Sequence, residues 1–162
     1  MRLLIIAIVA ATVGYTLSVL TNSVVSAETL VGFGIEVSVG DRLQMVATEW
    51  AGLASTYLPI YLGLHVVVFL LANHFLPLIS ESPDSHPVSR RIIFASAGAL
   101  SLLLVDIGFD MVMGLSGVLV ASGRTLGGLI VQVATGVVSG LIFAVLTENS
   151  REPEASKASM DG

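Results

Sequence analysis

Four apolar stretches of about twenty residues each follow one another along this chain, and they constrain its fold more than any other feature. They cover 3–25, 57–76, 92–113 and 125–146. A helix rises 1.5 Å per residue, so about twenty apolar residues cross the ~30 Å hydrocarbon core of a bilayer. Three of the four stretches hold no Asp, Glu, Lys or Arg at all. The pattern predicts an all-α polytopic membrane protein: a four-transmembrane-helix bundle, 1–147, ending in a disordered cytoplasmic tail, 148–162.

Composition agrees. Of 162 residues, 12% are charged and 54% hydrophobic, where a soluble domain averages about 25% charged. The net charge of −5 excludes the basic face that nucleic acid requires. With no cysteine, disulfides, thiolate metal sites and thiol redox chemistry are excluded. No metal or cofactor is implied. A haem bundle would want several histidines inside the spans. This chain has His65 in one, with His74 nine residues on and so on the opposite side of the helix, and His86 in a loop.

Orientation follows from the basic residues near the span ends. With both termini cytoplasmic, Arg2, Arg90, Arg91, Arg151 and Lys157 lie inside, and Arg42 and Arg124 lie outside. The positive-inside rule favours that arrangement, and a prokaryotic plasma membrane is the expected location. A cleaved signal peptide is the alternative reading of the N-terminus, since Val25-Ser26-Ala27 offers small residues. However, the apolar run exceeds the 7–15 residues of a signal h-region, so a retained helix is expected.

The segment 26–56 forms the largest extramembrane piece. From Asp41, a good N-cap, the apolar period turns helical: Leu43, Val46, Ala47, Trp50, Leu53 and Ala54 share a face. This predicts a short amphipathic helix on the outer surface with Trp50 at headgroup level, or else a lid over the bundle. The segment 77–91 has three prolines, and Pro83 and Pro87 bar a helix through it. Ser89 is the expected N-cap of the third span.

Inside the spans a few polar residues stand out. Asp106 and Asp110 are one turn apart on the third span. A carboxylate at such a site costs about 2.5–3.5 kcal/mol on insertion scales and normally faces protein or water. Counting from the outer ends puts Asp106 and Gln132 about 10 Å deep and His65 about 9 Å. Ser18 is at a similar level, and Tyr61 shares the His65 face one turn higher. One layer of Ser18, Tyr61, His65, Asp106 and Gln132 is therefore expected. Its simplest role is to pin helices by hydrogen bonds; the functional one is a proton or cation relay or a ligand pocket. Asp110 and Arg124 are expected to pair at the outer edge.

Small residues form the other pattern. Gly128, Gly136 and Gly140 recur at multiples of four around Gln132, and Ala10 and Gly14 do so before Ser18. Such ridges let helices approach closely, within the protein or against a homo-oligomer or larger membrane complex. No metalloprotease pair, nucleophile elbow or phosphate loop occurs. The expectation is a non-enzymatic membrane protein, an accessory or interaction subunit acting through helix packing in the lipid bilayer. The alternative is a small proton or cation transporter using Asp106 and His65.

Overall fold

A computed structural model describes residues 1–79, 87–113 and 126–158. Among them are five helices and no strand: α1 (Arg2–Gly32), α2 (Val39–Ala54), α3 (Tyr57–Ile79), α4 (Pro87–Met113) and α5 (Leu126–Ala158). Four of these, all but α2, are long and apolar enough to cross a membrane. They close a ring in which α1 packs on α3, α3 on α4, α4 on α5 and α5 on α1. Large aliphatic side chains point away from the ring on each of the four, for example Leu4, Ile8, Val67, Leu104 and Ile130.

The helix ends differ from the sequence expectation in ways that local chemistry explains. α1 continues past residue 25 to Gly32, because Ser26-Ala27-Glu28-Thr29 contains no helix breaker. It stops where Gly34 takes φ +80°. There the Gly34 N–H donates to Val31 O (2.9 Å) and the Ile35 N–H to Leu30 O (3.1 Å). That is a Schellman closure, which uses a left-handed residue at the position after the cap. The α2 N-cap is Ser38, not Asp41. Asp41 is the third helical residue and completes a capping box, its carboxylate accepting from the Ser38 N–H. α4 begins at Pro87 rather than after Ser89, since proline in the first turn gives up an N–H that has no helical partner anyway. Pro77 sits inside the last turn of α3, which runs on to Ile79. α5 stays helical through Ala158, over most of the stretch whose polar composition predicts disorder. Ala155, Lys157 and Ala158 are good helix formers.

The two ends of the ring are built differently. At one end Arg90 is buried and donates to Thr147 Oγ1 (2.8 Å), with its guanidinium 5.1 Å from the Phe94 ring centre. Beside it Arg91 pairs with Glu148 (2.9 Å). At the other end α2 runs back along α1. Glu28 of α1 meets Arg42, Ser23 meets Glu49, and Thr16 meets Trp50. As the α1 number falls the α2 number rises, so the two form an antiparallel hairpin. α2 therefore follows the axis of α1 instead of lying across the helix ends.

Candidate polar layer beneath the second helix

The buried polar residues come from all four long helices, with Ser18, Asp106 and Gln132 on α1, α4 and α5 and Tyr57, Tyr61 and His65 at successive turns of α3. Asp106 follows Arg90 by sixteen residues and Gln132 precedes Glu148 by sixteen, so both stand about 24 Å from the Arg90 end at 1.5 Å per residue. Ser18 and Gln132 meet directly across α1 and α5. The Ser18 hydroxyl donates to Gln132 Oε1 (2.6 Å), and Gln132 Nε2 donates to the Ser18 carbonyl (3.1 Å). Both are buried. A reciprocal pair of this kind fixes one register only, because a slide of one turn breaks both bonds.

Tyr61 and His65 meet on α3. Their rings stack with centres 3.9 Å apart and planes 13° from parallel. His65 Nδ1 lies 3.0 Å from the Tyr61 carbonyl oxygen. A carbonyl only accepts, so Nδ1 carries the hydrogen and Nε2 holds the lone pair. Asp106 lies within electrostatic reach of both Tyr57 and Tyr61, and Tyr57 is also beside Ser18. Tyr57 thus joins the Ser18–Gln132 pair to the Asp106 and His65 side of the layer. The expected pair of Asp110 and Arg124 rests on Arg124, which lies outside the described residues. His74 is exposed, on the far side of α3 from the buried His65.

The small residues occupy the seams. Ser139 Oγ donates to the Ala10 carbonyl (2.8 Å), which ties α5 to α1. A Cβ on Gly14 would stand 2.7 Å from both Ser139 Cβ and the Tyr61 hydroxyl, so this glycine makes room for the ring of the layer. On α4 and α5, Gly98 faces the Gly136 backbone and Gly140 faces the Phe94 carbonyl, and a methyl group at either would collide. Gly128 is buried on the same helix.

Several participants are missing from the sequence reading. Tyr57 looked like the mere start of a span, yet it is buried. Gly98 falls between Ala95 and Ala99, which carry the more obvious spacing. Glu49 lies off the apolar face of α2, and its spacing alone points to no role. In the structure its Oε2 accepts from Ser23 (2.7 Å) and Asn22 (3.1 Å) of α1. The Tyr15 hydroxyl also donates to the Trp50 carbonyl (3.0 Å). Polar α2 residues face the ring, while Val39, Leu43 and Trp50 stay exposed. No protein family, curated protein or solved structure matches this chain.

Proposed function

We propose that the chain is an integral membrane protein whose four long helices form a transmembrane bundle in a prokaryotic plasma membrane, both termini cytoplasmic. It works as an accessory or interaction subunit through its packed helices. One observation carries this reading. Aliphatic side chains cover the outside of the ring, while small and polar side chains are turned inward and used to join helices. That is the inverse of a water-soluble helical protein and suits a hydrocarbon solvent. A core of ~30 Å with its inner boundary at the Arg90 end puts the polar layer about 6 Å below the opposite face. That is shallower than a count from the span ends implies.

The Gly98, Gly136 and Gly140 seam is filled from within the chain. A partner or second copy therefore meets the aliphatic outer belt or the α1–α2 hairpin. The test is affinity purification in mild detergent, with identification of co-purifying proteins. A stoichiometric partner that is lost when the outer belt of α4 is altered at Leu104 supports the reading. A lone monomer under all detergent conditions overturns it. Reporter fusions check the topology: one after Gly162 is expected inside, one near Gly34 outside.

The second reading is transport of a proton or small cation through Asp106 and His65. It is favoured by two fully buried polar atoms without a hydrogen-bond partner among the described residues, Tyr61 Oη and His65 Nε2. Dissipation of a pH gradient in proteoliposomes tests it, with His65→Gln and Asp106→Asn as controls. Equal decay in empty vesicles and in vesicles carrying the wild type removes this reading.

A further inference from the structure

From the α2 end, the interior of the ring is polar down to His65 and apolar below it. Tyr57, Tyr61 and His65 stand one turn apart along α3, with Asp106 beside the two tyrosines. Leu53 of α2 packs over the cluster that holds Tyr57 and Tyr61. Below His65 the next ring is Phe69, 5.7 Å away edge-on. Phe69 stacks on Phe143 at 4.8 Å, and Phe143 meets Phe94 at 4.8 Å. All three phenyl rings are fully buried. Phe94 then carries the Arg90 guanidinium. A continuous row of rings thus separates His65 from the Arg90 end and offers no hydrogen-bonding group.

We infer that His65 Nε2 is a one-sided proton site, reached from the α2 end past Tyr57, Tyr61 and Asp106, and sealed from the Arg90 end by Phe69, Phe143 and Phe94. The geometry supplies both halves of the argument. With Nδ1–H committed to the Tyr61 carbonyl, Nε2 is a buried acceptor, and the Tyr61 hydroxyl is a buried donor; neither has a hydrogen-bond partner among the described residues. Leaving such groups unmatched costs about 1–3 kcal/mol each, a cost that a protic guest such as water would relieve. A hydronium ion passes its proton to Nε2 and leaves water behind. The imidazolium that forms keeps its Nδ1–H bond to the Tyr61 carbonyl. The titratable groups around it are Tyr57 and Tyr61 on α3, Tyr15 on α1 and Asp106 on α4, with Glu49 on α2 at the entrance; Gln132 of α5 is neutral. Because the phenyl row is dry, the proton returns the way it came. The site registers acidity on one side of the membrane and does not conduct. This rests on the transmembrane placement proposed above, but not on the accessory role.

The experiment is nitrogen NMR on the full-length protein in lipid nanodiscs, labelled at histidine, with His65→Gln to assign the signal. At pH 8 the His65 ring is expected as the Nδ1–H form with a free Nε2. On acidification it should convert reversibly to the doubly protonated form. A His65 signal that keeps the Nδ1–H form throughout the acidification overturns the proposal. Sidedness is read in proteoliposomes. Wild type should hold a pH gradient as well as empty vesicles do. Phe143→Ala should leak at least tenfold faster, and adding His65→Gln should abolish that leak. A wild-type leak overturns the seal, and a Phe143→Ala leak that survives His65→Gln removes His65 from the route. The NMR result needs no variant to fold beyond the one used for assignment, and it stands whether or not a partner protein is found.

Discussion

The half of the molecule near Arg90 and the half beneath α2 hold their helices together by opposite means. Near Arg90 the interior contacts are steric, with the Arg90–Thr147 and Arg91–Glu148 bonds added at the very end. Phe69, Phe143 and Phe94 fill the interior, and Gly136 and Gly140 bring α5 against the α4 backbone. Beneath α2 the contacts are directional: Ser18 to Gln132, Tyr15 to Trp50, and Glu49 to Ser23 and Asn22. α2 itself has no buried residue. In a bilayer, where apolar burial between helices gains little over lipid contact, close packing sets the stability and hydrogen bonds set the register. The Arg90 half should therefore be the rigid one, and the α2 half the part that opens at low cost.

The strongest way to break this comparison is to fill the glycine seam. Gly140→Leu would drive a branched side chain into the Phe94 carbonyl, and Gly136→Leu into the Gly98 carbonyl. Even an added methylene in a tight core costs about 1–3 kcal/mol, and here backbone must move. Both variants should lose the folded monomer peak in detergent chromatography. Gly63→Ala is the control, since nothing lies within 4 Å of a Cβ there. It should be neutral or gain up to about 1 kcal/mol from helix propensity. A Gly140→Leu protein with wild-type thermal stability would show that the seam is looser than the structure has it.

How much of this was legible in the sequence depends on the type of signal. The four long helices follow from run length, which needs no knowledge of neighbours. Gly136 and Gly140 could be picked out because small residues at a spacing of four mark a close-approach face. Gly98 could not, since a lone glycine beside Ala95 and Ala99 acquires meaning only from what α5 places against it. The direction of α2 was also hidden. An apolar face tells which side avoids water, but α2 docks by Glu49 and Arg42 as well as by Leu53, while Val39 and Leu43 stay exposed. Placing Ser18, Asp106 and Gln132 at one height required only counting. Finding Tyr57 among them required the fold, because its ring is buried by helices distant in sequence.

The next largest effect concerns the clasp of α2. Glu49→Ala removes an acceptor used by both Ser23 and Asn22. Hydrogen bonds to a charged group contribute about 1.5–3 kcal/mol, and this loss should appear as local opening. Amide exchange across residues 39–54 should accelerate at least tenfold, with exchange in α4 and α5 unchanged. Glu49→Gln, which still accepts, should lie between. Equal acceleration in all helices would mean that α2 is integral to the rigid half.

Smaller changes are expected within the polar layer. Gln132→Leu removes both bonds to Ser18, and interhelical hydrogen bonds in membranes average about 0.6 kcal/mol each, with a maximum near 1.7. A drop of about 1 kcal/mol in unfolding free energy is expected, against near-silence for Asp106→Asn if that side chain only positions helices. A loss as large as that from Gly140→Leu would erase the distinction between the two halves.

The smallest expected effect sits at the far tip of the hairpin and has a definite pH sign. The Ser38 hydroxyl and backbone N–H hold the exposed Asp41 carboxyl below the usual carboxylate range. A carboxyl with a lowered folded-state pKa stabilises the fold above its unfolded value, about 3.9. That contribution disappears as pH falls through the lowered value. The first turn of α2 should therefore fray on acidification below about pH 4, seen as lost amide protection at residues 39–42 after correction for intrinsic exchange. Asp41→Asn isolates the contribution of this carboxyl. In that variant the first turn should already be frayed at neutral pH and should not change further. Unchanged protection at residues 39–42 in wild type at pH 3 would show that docking along α1, and not the capping box, holds the start of α2.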